Sequence, residues 1–206
     1  MPRPKSDTRA RIIHSARTLL RRQGYHATGL AQIVELSGAP RGSVYFLFPG
    51  GKEEIAVAAI AGWAEELDAL LAKTRAASPD ARSWIATLAD HFSADLRSSH
   101  FTEGLPVTTV TLDSVPASPA LTAACRSAYD RWLQTMTDGL HAYGVPDAPS
   151  MATVLLAALE GAAVLCRAYQ STAPIDDTTQ RLLTLLPAGR PERGRPVQES
   201  SAIRRR

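Results

Sequence analysis

The sequence of 206 residues has few cysteines and few aromatic residues, and both shortages narrow the fold classes open to it. Its two cysteines, Cys125 and Cys166, lie far apart within helical patterns, so we expect small core residues in a reducing compartment and no disulfide. Neither has metal-ligand spacing to a histidine. Runs of Val, Ile, Thr and Tyr typical of strands are nearly absent, whereas Ala and Leu are abundant. The composition therefore predicts an all-α fold.

The sequence also lacks the segments that direct a chain to a membrane or out of the cell. The most apolar segment, residues 151–168, is interrupted by Glu160 and followed by charged and polar residues. Residues 1–9 contain no apolar core of a secretory signal. We therefore expect a cytoplasmic protein without a membrane partner.

Sequence patterns of catalytic chemistry are missing as well. The histidines show neither zinc-ligand spacing nor a neighbouring nucleophile motif, and no Gly-rich phosphate loop follows a strand. We expect no catalytic residues, no metal and no cofactor, and hence a protein that is not an enzyme.

Charge is unevenly distributed along the chain. Residues 1–54 contain nine Lys and Arg against four Asp and Glu, whereas residues 55–187 contain eight against fourteen. Residues 188–206 contain six Arg against two Glu. A basic N-terminal head on an acidic body indicates that the head faces a polyanion. Charge alone does not decide this, because an N-terminal segment can be basic by chance.

The spacing of apolar residues predicts three helices within the head. The first spans residues 8–23 and is followed by Gly24 as a left-handed C-terminal residue. The second begins after Thr28 as its N-cap and ends near residue 36. Gly38 provides the positive φ of a sharp turn before a short third helix over residues 40–46. Helix, glycine turn and short helix at this spacing indicate a helix-turn-helix.

The remainder of the chain is predicted to be helical, with Pro, Gly, Ser or Asp clusters at each join. Residues 188–206 are rich in Arg, Pro, Gly and Glu and indicate a disordered tail. We divide the chain into a DNA-binding head (1–52), a helical body (53–187) and this tail (188–206). The helices predicted for the body span residues 52–74, 81–98, 103–112, 119–143, 149–169 and 176–186.

The N-terminal residues of the second helix of such a motif enter the major groove of DNA. Arg41 is suited to bidentate hydrogen bonds with guanine O6 and N7, although a merely solvated charge is the alternative. Gly42 has no side chain to hold the helix away from the bases. Ser43 can bond either a base or a phosphate, and Phe46 can touch a thymine methyl group. These residues are the candidates for base recognition.

Three other side chains are candidates for the DNA backbone. Tyr45 and Thr28 are spaced to place their hydroxyls on phosphates. Lys52 lies at a helix N-terminus that favours phosphate, with support of the helix start as the alternative. The basic arm adds non-specific charge or is a solvated terminus; its members are Arg3, Lys5, Arg9 and Arg11. Three further arginines are expected on or beside the outward face of the first helix: Arg17, Arg21 and Arg22.

Residues 28–52 resemble the DNA-binding segment of the TetR family of one-component regulators. The run Gly-Ala-Pro-Arg-Gly-Ser followed by Phe-Pro-Gly-Gly-Lys-Glu is similar to the lincomycin-resistance-repressor branch of that family, the LmrA/YxaF-like regulators. The segment Gly-Leu-Pro-Val at residues 104–107, with Cys125 and Trp132 downstream, is similar to the ligand domain of that branch. The matching head positions are Gly24, Thr28, Ile33, Gly38, Arg41, Gly42, Ser43, Tyr45, Phe48 and Lys52.

Three head positions depart from the family pattern. Phe46 and Leu47 stand where relatives usually have Tyr and His, and Gly29 stands where they commonly have Ser or Thr. The usual residues often help to hold phosphate. The departures therefore predict a DNA contact that is weaker or differently arranged.

The resemblance implies that the body binds a small-molecule effector, largely apolar, and forms a homodimer through two late helices. Predicted effector contacts, each with plain core packing as its alternative, are Trp63, Trp84, Phe92, Phe101, Leu105, Val110, Trp132 and Met136. Predicted dimer contacts, with an ordinary core helix as the alternative, are Val154, Ala158, Gly161, Ala162, Leu165, Leu182 and Leu186. Glu160 is expected to pair with Arg167 or Arg126, or to face a polar group of the ligand.

The resemblance also implies a mechanism. A dimer would bind a palindromic operator on double-stranded DNA, and effector binding would move the helix that begins near Lys52 and change the distance between the two heads. The predicted function is that of a ligand-responsive repressor. A transcriptional activator on the same fold and a helical protein-protein adaptor are the alternatives.

Overall fold

The structure is a computed structural model that describes the backbone of residues 5–187 and the side chains of residues 7–187. In this range the chain is all-α, as predicted, with no strand. The predicted tail (188–206) and the side chains of Arg3 and Lys5 lie outside the described residues. The helices are α1 (Lys5–Ala27), α2 (Leu30–Ser37), α3 (Arg41–Leu47), α4 (Gly51–Ala76), α5 (Ala81–Ser98), α6 (Pro106–Ser114), α7 (Pro119–Ala142), α8 (Ala148–Tyr169) and α9 (Ala173–Leu183).

The first three helices pack around one small apolar cluster that also includes Ile55 at the start of α4. Gly38, at φ 59° and ψ 21°, joins α2 to α3 in the left-handed conformation that the sequence predicts. The other members of the cluster, all buried, are Ile12, Ala16, Ile33, Ala39, Val44 and Phe48. The helix-turn-helix is thus held by side chains from all four helices.

Two helix ends in the head differ from the prediction. Gly24 has a positive φ of 78°, but its ψ of −177° is extended, and α1 continues to Ala27 beyond the kink. Thr28 is not the N-cap of α2, because its side chain is fully buried and its hydroxyl donates to the Gly24 carbonyl at 2.6 Å. Gly29 is the N-cap, and its N–H donates to the side chain of Gln32 at 2.8 Å.

The body is a bundle in which α4 packs on α7, α7 on α8, and α8 on α9. Two body helices, α6 and α9, have ends that differ from the prediction by three residues, and the other body helices differ by two residues or fewer. Helix α6 begins at Pro106 and not at 103, because a residue before a proline favours extended backbone, and Leu105 is extended at φ −66° and ψ 126°. Helix α9 begins at Ala173, earlier than predicted, and ends at Leu183. The C-terminal half of α1 joins the body, since Leu20 lies in the same cluster as residues of α4, α6 and α7.

Helix α8, Ala148–Tyr169, is long and apolar enough to cross a membrane by length and composition, which the sequence analysis did not anticipate. One such helix is weak evidence of a membrane span, because a core helix of a soluble protein meets the same two criteria. One face of α8 packs on α7 and α9, and a third of its most apolar stretch is buried.

Candidate nucleic-acid interface and ligand cavity

Helix α3 presents one face to solvent and the other to the head core. Val44 is fully buried, whereas Arg41, Gly42, Tyr45 and Phe46 are exposed. Phe46 is 71% exposed, an unusual environment for a phenylalanine side chain. The exposed face of α3 therefore combines a guanidinium, a phenol and an aromatic ring around a position without a side chain.

The surface at Gly42 is open. Apart from its chain neighbours and the backbone of its own helix, a Cβ atom built at this residue meets no atom of the described residues within 4 Å, so those residues leave the surface of α3 uncovered at this point. Ser43 is half-buried on the same helix. Leu47, which stands in place of the usual histidine, packs partly against the head core. Its apolar side chain thus supports the position of α3.

Two of the predicted phosphate contacts have partners within the protein. The fully buried hydroxyl of Thr28 bonds the Gly24 carbonyl, so the structure corrects its assignment as a phosphate contact. The ammonium of Lys52 donates to the Tyr25 carbonyl at 3.0 Å and lies 4.1 Å from the centre of the Tyr25 ring. It is half-buried at the start of α4 and stabilises the C-terminal end of α1.

The described part of the basic arm is folded into the head. The guanidinium of Arg11 donates to the Ser37 carbonyl at 2.8 Å and so stabilises the C-terminal end of α2. Arg9 lies 5.2 Å from the centre of the Phe48 ring and is exposed. Arg9 thus keeps an exposed charge beside Phe48, the residue that follows α3, whereas Arg11 stabilises the fold of the head.

Three arginines expected on or beside the outward face of α1 contact the body instead. Arg17 forms an ion pair with Glu66 of α4, and Arg21 pairs with Asp95 of α5. Glu103 forms ion pairs with two of these arginines, Arg21 at 3.4 Å and Arg22 at 3.0 Å. Part of the positive charge of the head therefore forms ion pairs between the head and the body.

A cavity of about 240 Å³ lies between α1 and helices α4 to α8. Five of the predicted effector contacts line it: Trp63, Phe92, Leu105, Trp132 and Met136. The structure places three others elsewhere. Trp84 is fully buried with its indole N–H on the Thr74 hydroxyl at 3.0 Å, Val110 is fully buried in the core, and Phe101 packs on the body cluster in a left-handed turn.

Several polar residues of the cavity wall were not predicted from the sequence. Arg17 and Arg21 reach it from α1, one helical turn apart, and their partners Glu66 and Asp95 lie beside them. Because the partners are 49 and 74 residues away along the chain, no local pattern indicates these pairs. His91 also lines the cavity and is exposed.

Glu160 lies on the same wall, half-buried. Its carboxylate accepts a hydrogen bond from the Tyr129 hydroxyl at 3.1 Å, a partner that the sequence did not suggest. Burial raises the pKa of Glu160 above its usual value, and burial, with the nearby Glu160 charge, raises the pKa of Tyr129 to about 12. The two predicted partners are engaged elsewhere: Arg126 with Asp130, and Arg167 with the backbone of residues 101 and 102.

An apolar stripe follows the outer face of α8. Of the predicted dimer contacts, Val154, Gly161 and Leu165 are exposed on this stripe, and Ala158 is half-buried beside it. The structure corrects the other three, since Ala162, Leu182 and Leu186 are buried in the core of their own chain. The stripe also includes Ala157, Val164, Ala168 and Tyr169.

Two family profiles match the chain. The profile of bacterial regulatory proteins of the tetR family covers residues 12–59, which include the helix-turn-helix and the start of α4. The profile described as transcriptional regulator LmrA/YxaF-like, C-terminal domain, covers residues 81–181. The two matches lie on the parts of the chain that form the α3 face and the body.

Two relatives come from Bacillus subtilis. The HTH-type transcriptional regulator LmrA is 33% identical over 171 residues, which cover 82% of this chain and 91% of LmrA. The regulator YxaF is 29% identical over 173 residues, 83% of this chain and 91% of YxaF. The similarity thus extends over head and body together.

Solved structures with the same fold include a regulatory protein TetR from Rhodobacter sphaeroides, with a TM-score of 0.79, 17% identity, and coverage of 87% of this chain and 99% of that one. A TetR-family regulator from Agrobacterium tumefaciens has a TM-score of 0.80 and 19% sequence identity, and the match covers 90% of this chain and 100% of that one.

Proposed function

The chain belongs to the TetR family of bacterial transcriptional regulators, with an LmrA/YxaF-like C-terminal domain, and from that premise we propose that it is a cytoplasmic, ligand-responsive repressor. Members of the family bind DNA and usually act as dimers. We propose that residues 1–52 are the DNA-binding head and residues 53–187 the effector-binding and dimerisation domain. The single observation that supports this most is the exposed face of α3, where Gly42 leaves open space between exposed side chains.

Helix α3 reads the operator in this proposal. The guanidinium of Arg41 bonds a guanine edge, and Gly42 allows the helix axis to approach the bases. The exposed ring of Phe46 contacts a thymine methyl group, and the Tyr45 hydroxyl bonds a phosphate. Lys52 adds charge near the phosphates while it keeps its bond to Tyr25. Because these side chains cover only a few base pairs, specific binding needs two heads.

The outer face of α8 is the proposed subunit interface. Val154, Leu165 and Tyr169 are between 45% and 71% exposed there, and Gly161 lets a second helix approach closely. A two-fold axis through this face pairs each α8 with its copy and buries the stripe from water. Such an axis fixes the spacing of the two α3 helices.

The cavity is the proposed effector site, and α1 connects it to the head. Arg17 and Arg21 belong to the cavity wall and to the helix that carries the head core. A ligand that displaces either side chain from its acidic partner moves α1 relative to α4 and α5, and the spacing of the heads changes. Operator affinity then falls.

The test is selection of binding sites from random double-stranded DNA, followed by a promoter reporter. We expect a palindromic sequence whose half-sites lie about one helical turn apart, bound by one dimer, and lower reporter expression when this site overlaps the promoter. Higher expression would identify an activator. Recovery of no specific sequence would contradict the proposal and favour an adaptor.

A further inference from the structure

The cavity wall contains one carboxylate without an ion-pair partner among the described side chains. Glu160 shares the wall with three aromatic rings, those of Trp63, Phe92 and Trp132, and with leucines of α4, α5 and α8. Its oxygen accepts from the Tyr129 hydroxyl, whose oxygen is 3.3 Å from that of Thr108. These contacts are hydrogen bonds to neutral groups, and none of the ion pairs within residues 7–187 includes Glu160.

The other charges at the cavity balance one another. The guanidinium of Arg17 faces Glu66 and also lies 5.4 Å from the centre of the Trp63 ring. Arg21 is shared between Asp95 and Glu103. With these charges paired, the Glu160 carboxylate is the one acidic charge on the described wall that still lacks a cation. An unpaired charge in apolar surroundings is costly, and a cation from a ligand would offset the cost.

We propose that the cavity binds a small aromatic molecule with a protonated amine, whose ammonium pairs with Glu160 while its apolar part packs against Trp63, Phe92 and Trp132. The inference rests on the proposed function, because it names the chemical class of the effector for the same cavity. Aromatic faces favour a nearby cation, which adds to the charge pairing. The volume of about 240 Å³ lies below the roughly 300–1,000 Å³ of drug-sized sites, so a molecule of one or two rings fits best.

The experiment compares probes that share one ring system and differ in charge. Binding of 2-(aminomethyl)naphthalene, 2-naphthalenemethanol and 2-naphthoate to the full chain is measured by titration calorimetry at neutral pH without DNA. We expect the amine to bind at least about tenfold more tightly than the alcohol, and the carboxylate most weakly. Equal or tighter binding of the alcohol, or no binding of the amine, would overturn the inference.

Variants then assign the preference to one side chain. Glu160→Gln should lower the affinity for the amine by about tenfold or more and leave the affinity for the alcohol unchanged, since the amide keeps the shape and loses the charge. Glu65→Gln, at an exposed position on the same helix as Trp63, is the control and should change neither. If Glu160→Gln does not fold, Tyr129→Phe serves instead and should retain the preference for the amine. An unchanged amine affinity in folded Glu160→Gln would refute the assignment.

The two proposals fail separately. Because the probes are tested without DNA, a negative result with the amine leaves site selection by the head unaffected. Failure of site selection, with amine binding intact, would instead contradict the DNA-binding function. Addition of the amine to the DNA complex of the wild type should release the DNA, and Glu160→Gln should require at least about tenfold more amine for the same release.

Discussion

At the scale of single residues, Thr28 shows how a motif position can have a structural role. Its hydroxyl and side chain are enclosed between the end of α1 and the start of α2, where the hydroxyl bonds Gly24. The bond closes the chain around the kink at Gly24, whose positive φ leaves the last turn of α1 displaced from the helix axis. The contacts of Thr28 therefore indicate a structural role at the start of the helix-turn-helix.

Replacement of Thr28 by Val tests this role. We expect the variant to lose about 1–2 kcal/mol of unfolding free energy, because a buried hydrogen bond is removed at nearly constant volume. Chemical denaturation measures the loss. Thr87→Val, which removes a similar bond at an exposed position on α5, is the control and should cost less than about 0.5 kcal/mol.

The salt dependence of DNA binding separates this account from a phosphate contact. The slope of log affinity against log salt should be the same for Thr28→Val and for the wild type, because no phosphate contact is lost. A slope reduced by about one would show that Thr28 binds a phosphate.

Glu160 makes stability depend on pH in an unusual direction. Burial raises the pKa of its carboxyl in the folded chain, so the folded state binds its proton more readily than the unfolded state. The contribution of Glu160 to stability is therefore most favourable at low pH. It becomes unfavourable as pH rises through the interval between the ordinary and the raised pKa.

Glu160→Gln should accordingly be more stable than the wild type at neutral pH, since the neutral amide avoids the cost of a buried charge. The difference should shrink as the pH is lowered toward the ordinary pKa of glutamate. Thermal unfolding across that pH range measures it, with Glu65→Gln as the exposed control. A wild type that is more stable than Glu160→Gln at neutral pH would contradict this account.

The sequence predicted the helix-turn-helix positions better than the residues of the cavity. Arg41, Gly42 and Gly38 follow from the geometry of a helix-turn-helix, which is set by a few local residues. Trp84 and Val110 were assigned to the cavity wrongly, because helical spacing shows which side chains face inward and not which of them border a void. The sequence did not indicate Tyr129, because it lies 31 residues from its partner Glu160 and on a different helix.

At the scale of elements, α8 has two faces with different surroundings. One face packs on α7 and α9, and the other presents an apolar stripe to solvent. The sequence predicted the helix and, from the family resemblance, a contribution to the dimer interface. It did not separate the two faces, since Ala162 packs within the chain and Gly161 and Leu165 do not. Small and apolar residues occur on both sides of this helix, so composition alone gives no distinction.

Charge placed on the stripe should disrupt the dimer. Ala157→Asp and Leu165→Asp each place a carboxylate in the proposed α8 interface, opposite its own symmetry mate or an apolar surface. We expect the dimer dissociation constant to rise by at least about tenfold, as measured by sedimentation equilibrium. Ala94→Asp, at an exposed position on α5, is the control and should leave the dimer intact. An unchanged dimer in both stripe variants would place the interface elsewhere.

At the scale of the whole molecule, α1 belongs to the head and to the body. Its N-terminal half contributes Ile12 and Ala16 to the head core, and its C-terminal half contributes Leu20 to a body cluster. The ion pairs of Arg17 and Arg21 attach the same helix to α4 and α5 at the cavity. In the proposed mechanism, α1 is therefore the helix through which a change in the cavity would reach the helix-turn-helix.

The basic residues of the head divide into those paired with the body and those exposed to solvent. The sequence showed a basic head, and three of its arginines neutralise acidic residues of the body. Arg41 is exposed on α3, and Arg9 is exposed beside Phe48, the residue that follows α3. Among the described residues, the positive charge of the head that is left for DNA is thus smaller than the count of basic residues indicates.

The central claim is that the exposed face of α3 reads DNA, and the affinity of Arg41→Ala for the selected operator tests it most directly. Arg126→Ala, which removes the same charge at an exposed site on the body, is the matched control. We predict that Arg41→Ala loses about tenfold or more in operator affinity and most of its preference over random DNA, while its dimer and thermal stability stay unchanged. Arg126→Ala should bind like the wild type. Wild-type operator affinity in Arg41→Ala would contradict the claim.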